Sequence, residues 1–382
     1  MSDDQPYQDL IRHTRSWIFD LPDSEILLPL LRLRLTAEEA GFLSRFPHRP
    51  STLEQLSQQL NLAATELLKR MESLIREGFI YRVEGRSAVR YSFTDPIFFL
   101  YRMPGWKGEQ DEWSRRYASM ANRYYVDHMA ADFMGHPTRG LRAIPLAHTI
   151  PDTRQVMPYE DVLRFVEQED YHTVSTCPCR HRHKMDPNAS PCSHETLNCL
   201  HFGNLGRYIV KHGMGKGIRK EETLDILARA AEAGLVHGIS NTTEGMDTIC
   251  NCCSCCCLFL EKVKMPSPVP RGHQPSNYVR QIRTETCIAC GLCVKRCPMK
   301  ALELRQKAPG SAPFPDERPP KGNKEVFFVA DRCIGCGVCV HKCPTQSIWL
   351  LRRQAEQSYP KTLSETGARM LMERRRDISK AF

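Results

Sequence analysis

The 382-residue chain contains no apolar run long enough to span a bilayer, so no membrane-spanning segment is expected. Its first ten residues, Met1 to Leu10, are acidic and polar, unlike a secretory signal or a transit peptide. The expected compartment is therefore the cytoplasm, where structural disulfides are rare. Also missing are a Walker phosphate loop, a hydrolase nucleophile elbow and any Cys-x-x-Cys-His, which leaves no signal for nucleotide hydrolysis, α/β-hydrolase chemistry or covalent c-type haem. Gly213-Met-Gly215-Lys-Gly217 lacks the third glycine of a dinucleotide fingerprint and precedes no clear βαβ unit, so a flexible loop is expected there. The formal charge of +9 is modest for this length. Cysteines that ligate metal do so as thiolates, so that figure overstates the charge and gives little support to nucleic-acid binding.

Cysteine is abundant but confined. None of the eighteen precedes Cys177 and none follows Cys343. They fall into three groups, Cys177 to Cys199, Cys250 to Cys257 and Cys287 to Cys343. Such usage in a reducing compartment points to metal. The last group is an internal repeat. Cys287-Ile-Ala-Cys290-Gly-Leu-Cys293-Val-Lys-Arg-Cys297-Pro298 matches Cys333-Ile-Gly-Cys336-Gly-Val-Cys339-Val-His-Lys-Cys343-Pro344. Three thiolates two residues apart reach three corners of a cubane only from a tight loop, and Gly291, Gly335 and Gly337 permit that turn. Zinc knuckles use two Cys-x2-Cys pairs instead, and two full copies of this pattern do not arise by accident.

The repeat resembles the bacterial-type 2[4Fe–4S] dicluster ferredoxins, and the resemblance implies two [4Fe–4S] clusters with crossed ligation. One cluster is assigned to Cys287, Cys290, Cys293 and Cys343, the other to Cys333, Cys336, Cys339 and Cys297. The Pro-rich stretch Pro309 to Pro320 lengthens the connection between the copies and is expected as a surface loop, which disturbs closure only weakly.

The middle group holds ten further candidate ligands: Cys177, Cys179, Cys192, Cys199, Cys250, Cys252, Cys253, Cys255, Cys256 and Cys257. If Ile249 to Val263 were helical, Cys252, Cys255 and Cys256 would share one face, and Cys253 and Cys257 another. Ten thiols could hold one or two additional Fe–S clusters, and at least one is expected; zinc or another soft metal is the chief rival, and a redox disulfide the third. His181, His183, His194 and His201 surround the first pair; any could be a ligand, although structural roles are commoner.

Residues 36–104 resemble a winged helix-turn-helix domain. Thr36 and Glu39 form a helix start, Thr52 or Ser51 caps Leu53 to Leu60, and a third helix runs from Ala64 to Glu77, ended by Gly78. Alternating segments around Tyr81 and Tyr91 then read as a hairpin. Lys69, Arg70, Arg76, Arg82, Arg86 and Arg90 could meet DNA. Glu66, Glu72 and Glu77 interrupt that basic face, which favours a protein-docking module.

The expected fold class is an α+β multidomain chain. Residues 1–33 form an N-terminal arm, 34–104 a winged helix, 105–265 a mainly helical cysteine-rich middle domain and 266–276 a linker. Residues 277–352 form the ferredoxin-like dicluster domain and 353–382 a basic, helical tail. Within the middle, helices are expected over Trp113–Met134, Tyr159–Glu169 and Glu221–Ala233. The whole chain resembles uncharacterised ferredoxin-domain proteins of anaerobes. The expected function is iron–sulfur electron transfer with redox partner proteins, as a subunit or partner of a larger anaerobic oxidoreductase system. Two alternatives are a redox-responsive DNA-binding regulator and a reductase whose active site is the middle cysteine region.

Overall fold

The computed structural model describes residues 4–85, 87–151, 156–260, 272–307 and 324–380. Helix and strand are mixed, as an α+β class requires. The chain forms two compact units, Met1–Thr138 with Tyr171–Ile218 and Pro360–Phe382, and Arg139–Asp170 with Arg219–Tyr359.

In the first unit, α1 (Gln5–Arg15) buries Tyr7, Leu10, Ile11 and Thr14, and the Tyr7 hydroxyl donates to the Leu35 carbonyl at 2.8 Å. A short α2 (Leu27–Arg32) follows. The expected cap starts α3 (Ala37–Leu43): Thr36 Oγ1 accepts from the Glu39 amide, and Glu39 accepts from the Thr36 amide at 2.9 Å. Thr52 and Gln55 repeat the device at α4 (Leu53–Leu60), which Asn61 ends in a left-handed conformation. Leu67, Met71, Leu74 and Ile75 form the buried stripe of α5 (Ala64–Arg76). Gly78, at φ 77°, turns the chain so that the Phe79 amide reaches the Leu74 carbonyl at 2.9 Å. The hairpin β1 (Ile80–Glu84) and β2 (Val89–Phe93) pairs Ile80 with Phe93 and Glu84 with Val89. Arg86 lies outside the described residues.

Glu77, at the end of α5, faces Lys107 Nζ at 3.0 Å and Arg34 Nη1 at 3.4 Å. Burial pushes its carboxyl up, but the hydrogen bond from Lys107 and the charge of Arg34 outweigh that and hold it below the usual range. A depressed folded-state pKa stabilises above the unfolded value and is lost as pH falls through the folded one. Glu77→Gln is therefore expected to lower stability by roughly 1 kcal/mol at neutral pH. The difference should shrink below about pH 4.5 in denaturant titrations followed by tryptophan fluorescence.

A π-helical segment, Ile97–Arg102, leads into α6 (Met103–Trp106). Asp111 caps α7 (Glu112–Tyr124) through the Ser114 amide at 2.7 Å. A second π-helical turn, Tyr125–Met129, joins α7 to α8 (Ala130–Gly135). The single helix expected over Trp113–Met134 is thus one helical run with a widened turn, which buries Tyr124, Tyr125 and Phe133. Next come β3 (Leu141–Ala143) and α9 (Val162–Gln168), which belong to the second unit. Back in the first, β4 (His172–Thr176) has α10 (Pro178–Met185) after it and pairs antiparallel with β5 (Leu197–Phe202). After α11 (Gly203–Lys211), β6 (Lys216–Ile218) pairs with the other edge of β4. The glycine-rich segment expected as a flexible loop therefore supplies a strand, because Gly215 sits where a Cβ would fall 2.7 Å from the Val174 carbonyl.

The tail closes this unit. Its helix, Leu363–Glu373, is followed by Arg374, whose nearly buried guanidinium meets Asp132 Oδ1 at 3.1 Å. Glu373 accepts from the Thr138 amide at 3.0 Å.

In the second unit, α9 starts three residues later than the helix expected from Tyr159. Pro158–Glu160 forms a 3-10 turn, and the Asp161 carboxylate caps the Leu163 and Arg164 amides at 3.1 and 3.2 Å. The expected helix at Glu221 is α12 (Lys220–Glu232), ended by Gly234 at φ 76°. After it, β7 (Val236–Ser240) pairs antiparallel with β8 (Thr248–Cys252) and with β3, while β3 pairs parallel with β9 (His273–Gln274). The middle region carries strands beside its helices, in both units. The linker expected at 266–276 falls largely outside the described residues, and the insert Pro309–Pro320 wholly so.

The repeat forms β10 (Tyr278–Ile282), α13 (Leu292–Arg296), β11 (Leu302–Gln306), β12 (Lys324–Phe328) and β13 (Ile348–Arg352). Its first strand pairs with its last, Tyr278 opposite Arg352, and β11 pairs with β12. It also packs on the rest of its unit: Arg296 donates to the Ala231 and Glu232 carbonyls at the end of α12, at 3.0 and 3.2 Å. The Leu146 amide donates to the Cys336 carbonyl at 3.3 Å.

Candidate metal centres

The two motifs trace the same backbone path. Left-handed residues recur at matched places: Ala289 and Gly335, Gly291 and Gly337, Lys300 and Gln346. Each path frames a cavity. One is lined by Cys287, Cys290, Cys293 and, from the other copy, Cys343. The other is lined by Cys333, Cys336, Cys339 and Cys297. The crossing follows from the strand pairing, which lays the end of each motif beside the start of the other. Burial pushes the Cys293 thiol up to about 11 and the Cys336 thiol up to about 12. Cys293 and Cys336 are thus poor thiolates alone, and fit a cationic iron core that draws off their protons.

The surroundings of the two cavities differ. Cys290 is exposed, as are Ile288 and Leu292 beside it. Cys336, Ile334 and Val338 are buried. Arg280 on β10 also lines the second cavity, 6% exposed, with its guanidinium 4.2 Å from the Phe328 ring centroid. It was not among the residues expected at the site from sequence. The available signal was a cation among apolar neighbours in a strand, in Tyr278-Val279-Arg280.

No described cysteine is in a disulfide. In the first unit Cys177 precedes α10 and its thiol hydrogen-bonds that of Cys179; this contact and burial push it well above the ordinary thiol range. Arg180, fully buried, donates to Asn198 Oδ1 at 2.7 Å and the Glu195 carbonyl at 2.9 Å, which fixes the chain around the pair. Cys199 is buried on β5 opposite Ser175, and Cys192 is half-buried between α10 and β5. Three of the candidate histidines have partners other than metal: His181 Nε2 contacts the Glu109 carbonyl, His183 Nε2 the Ser190 carbonyl, and His201 Nε2 the Ser175 hydroxyl at 2.9 Å. His194 is half-buried.

In the second unit the six-cysteine run is not the helix considered from its sequence. Thr248 to Cys252 is a strand, Val236 opposite Cys252 and Ile239 opposite Ile249, and turns follow. Residues 261–263 lie outside the described part. Pairing with β7 overrides the local helical pattern. The run is sorted into two sets of thiols. Those of Cys253, Cys255 and Cys256 lie within 4.8 Å of one another, Cys255 and Cys256 at 3.5 Å. The Cys252 thiol instead hydrogen-bonds those of Cys250 and Cys257. This grouping differs from the helical-face grouping, which joined Cys252 to Cys255 and Cys256.

No helix among the described residues is long and apolar enough to cross a membrane. No curated protein and no solved structure matches the chain. A family model described as a 4Fe-4S dicluster domain matches residues 286–347. With both motifs inside that span, the C-terminal part of the chain is a ferredoxin-type, 4Fe–4S-binding domain with an iron–sulfur electron-transfer role.

Proposed function

We propose that this chain carries electrons for a larger anaerobic oxidoreductase system, as a subunit or dedicated partner, through two [4Fe–4S] clusters and at least one further Fe–S cluster. The observation that carries the reading is the pair of cavities, each framed by three cysteines of one motif and the last of the other. Cys287, Cys290, Cys293 and Cys343 bind one cluster; Cys333, Cys336, Cys339 and Cys297 bind the other. When bound, each supplies one-electron transfer without proton or group chemistry. The protein's part is to hold the thiolates, to exclude water with Ile334, Val338 and Leu350, and to place the Arg280 charge beside the second set.

Cys253, Cys255 and Cys256 supply three thiolates to the further cluster.

The N-terminal segment acts as a protein-docking winged helix and not as a DNA reader. Two of its candidate DNA contacts are already engaged: Arg70 meets Glu66 at 2.7 Å and Arg82 meets Glu84 at 2.5 Å. Phosphate contacts would have to replace those pairs.

Iron and acid-labile sulfide counted per chain after anaerobic purification test the whole reading. About twelve of each are expected, and a count near eight would remove the additional cluster. A count near zero, with zinc in place of iron, would overturn the electron-transfer reading itself.

A further inference from the structure

We propose that Cys250, Cys252, Cys257 and His273 form a closed mononuclear zinc site, separate from the cluster assigned to Cys253, Cys255 and Cys256. The inference rests on the reading of the middle cysteines as metal ligands and divides their run between two centres.

Strand geometry carries the first part. Cys250 and Cys252 are two apart on β8 and so point to one face of the sheet. Cys257 returns to the same place through the following turns, and its thiol and that of Cys250 both hydrogen-bond the Cys252 thiol. Cys252 is 6% and Cys257 3% exposed.

The fourth donor comes from β9. Cys250 pairs with Gly238 on β7, so a side chain at 238 would stand on the face that carries Cys250. His273 fills that space: a Cβ on Gly238 would lie 2.4 Å from His273 Nε2. The imidazole is fully buried; the Phe259 backbone lies beside the ring, and Nε2 has no well-formed hydrogen bond among the described residues. Leaving a buried polar nitrogen unmet is costly, and a metal bond removes that cost. Three thiolates and one imidazole, with Cys252, Cys257 and His273 buried and Cys250 half-buried, are a donor set of structural zinc. Iron–sulfur cubanes instead take four thiolates. On loading, each thiol gives up its proton to solvent and binds as thiolate.

The test uses the full chain, purified without oxygen, with zinc, iron and sulfide measured on the same sample. About one zinc per chain is expected beside the iron. His273→Ala and Cys252→Ser should each cut zinc about tenfold or more with iron and sulfide unchanged, whereas His273→Cys, which restores a fourth ligand, should retain it. Gly238→Ala should also lower zinc, since the added carbon displaces the imidazole. Zinc below about one tenth per chain in the unaltered protein would overturn the site. So would equal losses of iron and sulfide on Cys252→Ser, which would mean one cluster claims the whole run. Should the variants fail to fold, X-ray absorption at the zinc edge of the unaltered chain decides: three sulfurs near ~2.3 Å and one nitrogen near ~2.0 Å support the site, and four sulfurs contradict it. Failure of the additional cluster reads differently, as iron near the ferredoxin complement with zinc still present.

Discussion

Replacing Cys297 with alanine is expected to empty the centre framed by Cys333, Cys336 and Cys339, and to spare the one framed by Cys287, Cys290 and Cys293. Cys297 belongs by sequence to the first motif, so the expectation runs against its place in the chain. Geometry gives the reason: its side chain lines the second cavity with Met299, Ala301 and Leu302, while Cys343 lines the first. Ferredoxin-bound iron should fall by about half, from roughly eight to roughly four per chain. One of two EPR signals should disappear on reduction. Loss of the first-motif signal alone would show that each motif feeds its own centre. A cluster forms part of the core of so small a domain, so a fall in stability of several kcal/mol should accompany the loss.

Gly335→Ala is expected to be among the most damaging single changes in the chain. Gly335 sits at φ 69°, where a Cβ is itself unfavourable by about 1–2 kcal/mol. The new carbon would fall 2.2 Å from Ser276 Oγ and 2.2 Å from the Tyr278 carbonyl oxygen. The hydroxyl can rotate away, giving up its 2.9 Å bond to the Gly335 carbonyl. The carbonyl cannot move without disturbing the strand pair of Tyr278 and Arg352. Strain and overlap together should remove roughly 3 kcal/mol or more. The matched position supplies the control. Ala289 already carries a Cβ at φ 49°, so Ala289→Gly should change stability by less than about 1 kcal/mol. Thermal melts followed by cluster absorbance would read both. Equal losses at the two positions would mean that the contact with β10 is unimportant.

What the sequence made legible was what depends on near neighbours. The caps at Thr36 and Thr52, the stop at Gly78 and the helix after Arg219 each need only a few residues, and the structure places them as expected. The motif repeat was also local, twelve residues copied once. The strands of the middle region were less visible. β4, β5 and β8 interleave polar residues such as Thr173, Asn198 and Asn251 that are nonetheless buried, so no alternation of polar and apolar residues marks them. Cys252 was grouped with the wrong thiols for the same reason. A helical period was applied to a segment that pairing with β7 draws into a strand. His273 escaped notice because its relation to Cys250 depends on Gly238, a residue without a side chain on a third strand. Arg374, expected in a basic tail, is instead a nearly buried partner of Asp132.

The unequal cover over the two motifs gives the ferredoxin-type domain a front and a back. A visiting protein can touch Ile288, Cys290 and Leu292 at the surface. It cannot touch the matching Ile334, Cys336 and Val338, because the chain's own Leu146, Thr149 and Ser276 already occupy that side. Two loops of nearly the same sequence have thus become different objects: one presents its middle cysteine at the surface, and the other is soldered to the body of its own unit.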